Sequence, residues 1–180
     1  EIVDGLLYGM GDIAVSCENP LLWAFNKNLK PWAYDPETAK SMLQEEGWKD
    51  SDGDGWIDKN GKPFKFSLKT NAANKLRRDM AIVIQNQLKK IGVQMELQSM
   101  EWATLLGDTN KRNFEASLSG WRLGFFIYPK YRWHSMYAKK PDNWDVSKNG
   151  EWKPEIHGGS NHVSFVNTEV DSIIDICRKT

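Results

Sequence analysis

The chain has 180 residues and 20.7 kDa, enough to bury a core, with a mean hydropathy of −0.60. Lys plus Arg and Asp plus Glu both number 24, so the formal net charge is zero. That balance gives no electrostatic case for nucleic acid or an anionic membrane, and no apolar run approaches the roughly 18 residues of a spanning helix. The N-terminus, EIVDGLLYGM, carries no basic region ahead of an apolar stretch, so it does not read as a signal peptide.

Residues 1–9 read as the end of a helix, with Ile2, Val3, Leu6 and Leu7 on one face. Both ends read as cut. No cap precedes the first turn, and VDSIIDICRKT is still helical in pattern at Thr180. The expectation is a single lobe over residues 1–180, truncated at both ends. Gly9 and Gly11 begin a loop to Pro31 whose Pro20, Trp23 and Phe25 predict that it packs down. Asp35-Pro36 opens a helix: Asp accepts from otherwise orphaned amides, and Pro at the first position loses no hydrogen bond. Ala39, Met42 and Leu43 form its apolar face, and Gly47 predicts a left-handed cap.

The acidic turn that follows, Asp50-Ser51-Asp52-Gly53-Asp54-Gly55-Trp56-Ile57-Asp58, has carboxylates at the first, third, fifth and ninth places of a calcium loop and Gly55 at the sixth. The twelfth place, where a bidentate Glu belongs, is Gly61. Asp50, Asp52, Asp54 and Asp58 are therefore candidate calcium ligands of a weak site. The competing reading is an Asp/Gly turn whose carboxylates accept backbone N–H groups.

Phe64, Phe66 and Leu68 alternate with polar residues and predict a strand over 62–70. Leu76, Met80, Val83, Ile84, Gln87, Leu88 and Ile91 recur at helical spacing until Gly92, and Val93, Met95 and Leu97 alternate again. Strand, long helix, strand predicts a βαβ unit with parallel strands and a right-handed crossover. A short helix over 101–109 and a third strand over 114–119 follow. From 138 to 162 periodicity disappears, which predicts a long surface loop.

Trp23, Trp48 and Trp56 flank loops and read as satellites of the core. Trp102, just after one predicted strand, and Trp121, just past another, sit where open α/β sheets bind ligands. Aromatic faces there stack on peptide side chains or sugars. Lys75, Arg77 and Arg78 read as a solvated helix face. His134, His157 and His162 have no metal-ligand spacing, and GxSxG, GxGxxG and GxxxxGK[ST] are absent. Cys17 and Cys177 are too sparse for a disulfide framework, leaving either one bridge or two thiols.

Four segments in order, YDPETAKSMLQEEGW, KFSLKTNAANKLRRDMAIVIQNQLKKIGVQMELQSMEWA, SLSGWRLGFFIYP and SNHVSFVNTEVDSIIDICRKT, resemble the second lobe of extracellular solute-binding proteins of the peptide/nickel class, family 5. The resemblance implies an α/β chain forming one lobe of a two-lobe, type II periplasmic-binding-protein-like fold, with a central mixed sheet and flanking helices. It implies no catalysis. The implied role is capture of an oligopeptide, or a related small ligand such as an oligosaccharide, for the permease of an ABC importer. The place is the periplasm or a lipoprotein anchor, and the parent protein is expected to be monomeric. No cofactor is required, with calcium as the one candidate. Trp102, Trp121, Arg122 and Gly124 become the cleft candidates. The peptide-binding branch carries an Asp three residues after the cleft Trp; here that place is Gly124, so the charge that clamps a peptide amino terminus is missing. The rival readings are a secreted carbohydrate-active hydrolase domain and a calcium-stabilised structural module. The hydrolase would need a pair of carboxylates in a cleft, and no pair stands out from the surface acids.

Overall fold

The computed structural model describes residues 1–122, 129–138, 146–149, 151, 153 and 159–177. The chain packs as two compact units. The first comprises Glu1–Trp102 and Glu115–Leu123, the second Ala103–Phe114 and Gly124–Thr180.

The first unit begins with a π-helical turn, Ile2–Leu6. Helix α1 (Pro36–Glu45) starts where the sequence predicts: Asp35 accepts from the Thr38 N–H at 2.9 Å. At the other end Trp48 N–H reaches Leu43 O and Gly47 N–H reaches Gln44 O, both at 2.9 Å. That double bond pattern needs a left-handed residue, and Gly47 supplies it at φ +86°. A hairpin of β1 (Asp58–Lys59) and β2 (Lys62–Pro63) follows. Trp48 packs beside it, its ring 4.7 Å from that of Phe64.

Strand β3 (Lys65–Asn71), helix α2 (Lys75–Lys90) and strand β4 (Gln94–Met100) form the βαβ unit. β3 and β4 run parallel over seven residues, from Lys65 opposite Gln94 to Asn71 opposite Met100. The predicted 62–70 strand is broken at Phe64. Its N–H bonds Ile57 O on one side while its carbonyl takes the Gln94 N–H on the other. Strand β5 (Ala116–Leu118) joins β3 on its far edge, also parallel, giving the order β4-β3-β5. Antiparallel pairing among the named strands is confined to the hairpin.

Leu68, Ala81 and Met95 are buried together, with Phe66, Ile84, Leu88, Leu97, Ala116 and Leu118 packed around them. The α2 residue with no exposed surface is Ala81, outside the predicted apolar set, and it packs with Leu68 and Met95 of the sheet. Leu76 of that set is exposed.

The expected packing of the first loop fails as well. Trp23 is 91% exposed and Trp32 99%, so the 9–31 loop and its flank are not packed down by their rings. The loop is held instead by its own turns: Asn19 accepts from Leu21 N–H at 2.9 Å and Asn26 from Asn28 N–H at 3.0 Å. Cys17 and Cys177 are exposed, and no disulfide joins them.

Helix α3 (Trp102–Lys111) begins two residues after β4. In the second unit the described elements are the remainder of α3, α4 (Pro129–Trp133), a 3-10 turn at Ser135–Tyr137, α5 (Val146–Asn149) and α6 (Thr168–Cys177). Leu105, Ala138 and Ile174 are buried there. Two side chains organise the unit. Arg112 donates to Tyr137 O at 2.8 Å, Asn161 O at 3.1 Å and Asn110 O at 2.9 Å. Burial lowers its pKa from the ordinary value. Asn161, with no exposed surface, accepts from Phe165 N–H and donates to Phe165 O, both at 2.9 Å. Asn167 then caps α6, accepting from Glu169 and Val170 N–H groups. The predicted 138–162 loop lies largely outside the described residues; within it stands α5.

Candidate functional site

Parallel register decides where this sheet presents its chemistry. Because Asn71 lies opposite Met100 and Thr70 opposite Leu118, the carboxyl ends of β3, β4 and β5 finish at one level. Residues just past those ends must then converge. They do: Asn71, Trp102, Gly120, Trp121 and Arg122, with Arg77 from the first turn of α2, line an open concavity of about 440 Å³ within the first unit. Trp102 is 41% exposed and Trp121 54%, so neither indole is a core residue of its own unit. Both therefore offer aromatic surface to the concavity.

Arg77 is held rather than loose. Its N–H is capped by Asn74 at 3.0 Å, and its guanidinium carbon stands 5.5 Å from the Trp102 ring centre. A Cβ at residue 120 would lie 3.0 Å from Arg77 Nη2. Gly120 thus matters for space and not for backbone freedom: its φ is not among the positive ones. Its missing side chain leaves the room that the guanidinium fills.

Of the four cleft residues expected from the sequence, Trp102, Trp121 and Arg122 come together at this concavity. Gly124 lies outside the described residues. Sequence reasoning missed Asn71, Arg77 and Gly120. The signal for Arg77 was its place in the first turn of the helix leaving β3, which puts it beside the strand's carboxyl end.

The acidic turn lies elsewhere in the first unit. Oxygens of Asp50, Asp52 and Asp54 come within 4.8 Å of one another, all exposed. Each carboxylate is already engaged by backbone. Asp50 accepts from Gly53 N–H at 2.8 Å and Gly55 N–H at 3.0 Å, Asp52 from Asp54 N–H at 3.2 Å, and Asp54 from Trp56 N–H at 2.8 Å. Asp58 stands apart from that group: the Ser51 hydroxyl at 2.5 Å and amide at 3.1 Å bind it and hold its pKa below the ordinary carboxylate value.

In the second unit Asp175 accepts from Lys130 Nζ at 2.6 Å, with His134 Nε2 at 3.4 Å. Asp171 accepts from the Ser135 amide at 2.8 Å and from its hydroxyl. This ties α4 and the turn after it to α6. No described helix is long and apolar enough to cross a membrane.

Residues 1–144 match the model of the bacterial extracellular solute-binding proteins, family 5 Middle. The chain belongs to this family. It is 39% identical over 177 residues to the oligopeptide-binding protein AppA of Bacillus subtilis (strain 168), a match covering 96% of this chain and 29% of AppA. The structure of AppA in complex with a nonapeptide has a TM-score of 0.79 at 38% identity, covering 97% of this chain and 32% of that one. NikZ from Campylobacter jejuni, in complex with Ni(L-His), has a TM-score of 0.69 at 26% identity over 99% of this chain and 33% of that one. The fold is type II periplasmic-binding-protein-like, part of one lobe. The chain spans about a third or less of the length of these relatives.

Proposed function

We propose that this chain is part of one lobe of a monomeric solute-binding protein of an ABC importer. It captures an oligopeptide on the outer side of the cell envelope, in the periplasm or on a lipoprotein anchor, and delivers it to a membrane permease. One observation carries the reading: two half-exposed indoles, Trp102 and Trp121, meet at the carboxyl ends of three parallel strands around an open concavity. Indole faces so placed contact an extended ligand through broad apolar area at little cost in side-chain entropy. Membership in a family described as extracellular supports the location. The likeness to AppA, whose structure holds a nonapeptide, supports a peptide as the ligand.

No catalytic step is part of this reading. The described residues lining the concavity include no carboxylate, so they offer no acid/base pair for glycoside hydrolysis. Calcium is not required either, since the carboxylates of the 50–58 turn satisfy backbone amides that would otherwise be orphaned.

Native mass spectrometry of the intact protein purified from its host, ligand retained, tests the proposal. A bound peptide is the expected mass. A retained oligosaccharide, or a metal complex without peptide, would overturn the peptide assignment.

A further inference from the structure

Among the described residues the charges around the concavity are one-sided. They line it with two guanidinium groups, Arg77 and Arg122, and no carboxylate. Among the described residues neither arginine is ion-paired; the ion pairs join other residues. The sequence beyond Arg122, LGFFIYPK, brings no acid either, and the place where an amine-clamping Asp would stand is Gly124. Glu101, the acid next to Trp102 in sequence, is not part of the lining.

A guanidinium is never deprotonated in a protein, so this charge is permanent. Arg77 is also preorganised, with the Trp102 ring beside it and the space at Gly120 filled by its Nη2 side. A planar fork fixed in this way loses little freedom when it receives a two-oxygen acceptor, and low-dielectric aromatic walls strengthen the attraction.

Resting on the peptide-binding reading, we propose that this cleft selects ligands by a carboxylate, which Arg77 and Arg122 receive, and not by a clamped amino terminus. The carboxylate has two sources in a peptide, an acidic side chain or the free C-terminus, and both present the same two oxygens to the fork.

The test uses the intact protein and four peptides of one sequence, Ala-Ala-Ser-Xaa-Ala-Ala, with Xaa as Glu or Gln and the C-terminus free or amidated. Affinities are measured by calorimetry at low and high salt. At least one carboxylate-bearing peptide should bind about tenfold tighter than the amidated Gln peptide, the scale of one charge-assisted hydrogen bond, with the gap shrinking in high salt. The free-acid Gln peptide and the amidated Glu peptide tell the two sources apart. Arg122→Gln and Arg77→Gln should each narrow the gap, and Arg→Lys at either place should restore part of it. Arg122 is exposed, so its variant keeps the test open if Arg77→Gln, which loses the contact with Trp102, fails to fold. Equal affinity for all four peptides would overturn the carboxylate assignment and leave peptide binding standing. Binding of none of them at millimolar concentration would overturn both.

Discussion

Trp121→Ala separates a cleft residue from a core residue by two readouts. An indole-bearing residue carries up to about 250 Å² of surface. With 54% exposed in this chain, about 135 Å² of Trp121 remains for a ligand to cover. At about 25 cal/mol per Å² that sets a ceiling near 3 kcal/mol, so truncation should cost about 1–3 kcal/mol of affinity, roughly 5- to 150-fold in Kd. The covered remainder, about 115 Å², gives a similar ceiling for stability, which residual burial in the unfolded chain and the retained Cβ reduce to about 1–2 kcal/mol. A core Trp would cost about 3–5 kcal/mol. Calorimetry with a bound peptide reads the first quantity in the intact protein, and urea unfolding reads the second. Unchanged affinity would refute the stacking role, and a stability loss above about 4 kcal/mol would show that Trp121 belongs to the core.

Four further outcomes are expected. Gly92→Ala places a Cβ 2.9 Å from Ile57 Cγ2 and 3.2 Å from Ile57 N on a backbone at φ +77°, so urea unfolding should show a loss of about 2–4 kcal/mol; a loss below about 1 kcal/mol would mean the turn relaxes freely. Asn161→Ala leaves the Phe165 N–H and carbonyl without the partners they have now, and should cost about 2–4 kcal/mol by the same measurement, with an unchanged midpoint counting against Asn161 as the organiser of that turn. Calcium at a few millimolar, against EDTA, should move the Tm by less than about 5 °C, because the 50–58 carboxylates are already bonded and Gly61 replaces the bidentate acid; a rise above about 10 °C would reveal a real site. Lys130 first, then His134, lower the pKa of Asp175. A folded pKa below the unfolded one means its stabilisation is present above the unfolded value and lost as pH falls through the folded one. Between about pH 5 and pH 3 the wild type should therefore lose more Tm than Asp175→Asn, and parallel melts would contradict this.

The elements that could be read from the sequence are those set by one residue acting on its own chain. Asp35-Pro36 starts α1 and Gly47 ends it because capping uses donors and acceptors within a few residues. Gly92 ends α2 for the same reason, and once strand, helix and strand follow each other, parallel pairing of β3 and β4 is forced. What escaped notice depends on a partner far away in sequence. Phe64 breaks its strand because Ile57 and Gln94 claim its two backbone groups from different sides. Ala81 is the fully buried residue of α2 although hydrophobic spacing passes over it. Trp23 reads as a loop-flanking satellite of the core, but an indole is buried only where a second surface meets it, and Trp23 is left 91% exposed.

The site divides along the same line, and Arg77 shows how. Sheet topology sends Trp102 and Trp121 to one edge whatever surrounds them, so their place follows from being just past parallel strands. Arg77 reads as one of three exposed basic residues, and its neighbours do go elsewhere: Lys75 pairs with Asp79 at 2.6 Å, and Arg78 donates to Ala72 O. Only the middle residue turns to the cleft, because the Trp102 face and the missing Cβ at Gly120 make a slot for it. Three positions 25 and 18 residues apart must agree before that guanidinium becomes part of a site. Aromatic surface at the strand ends is thus a property of the fold, whereas the place of the Arg77 guanidinium depends on a local vacancy, and a methyl at Gly120 would stand 3.0 Å from it and oblige it to give by a few tenths of an ångström.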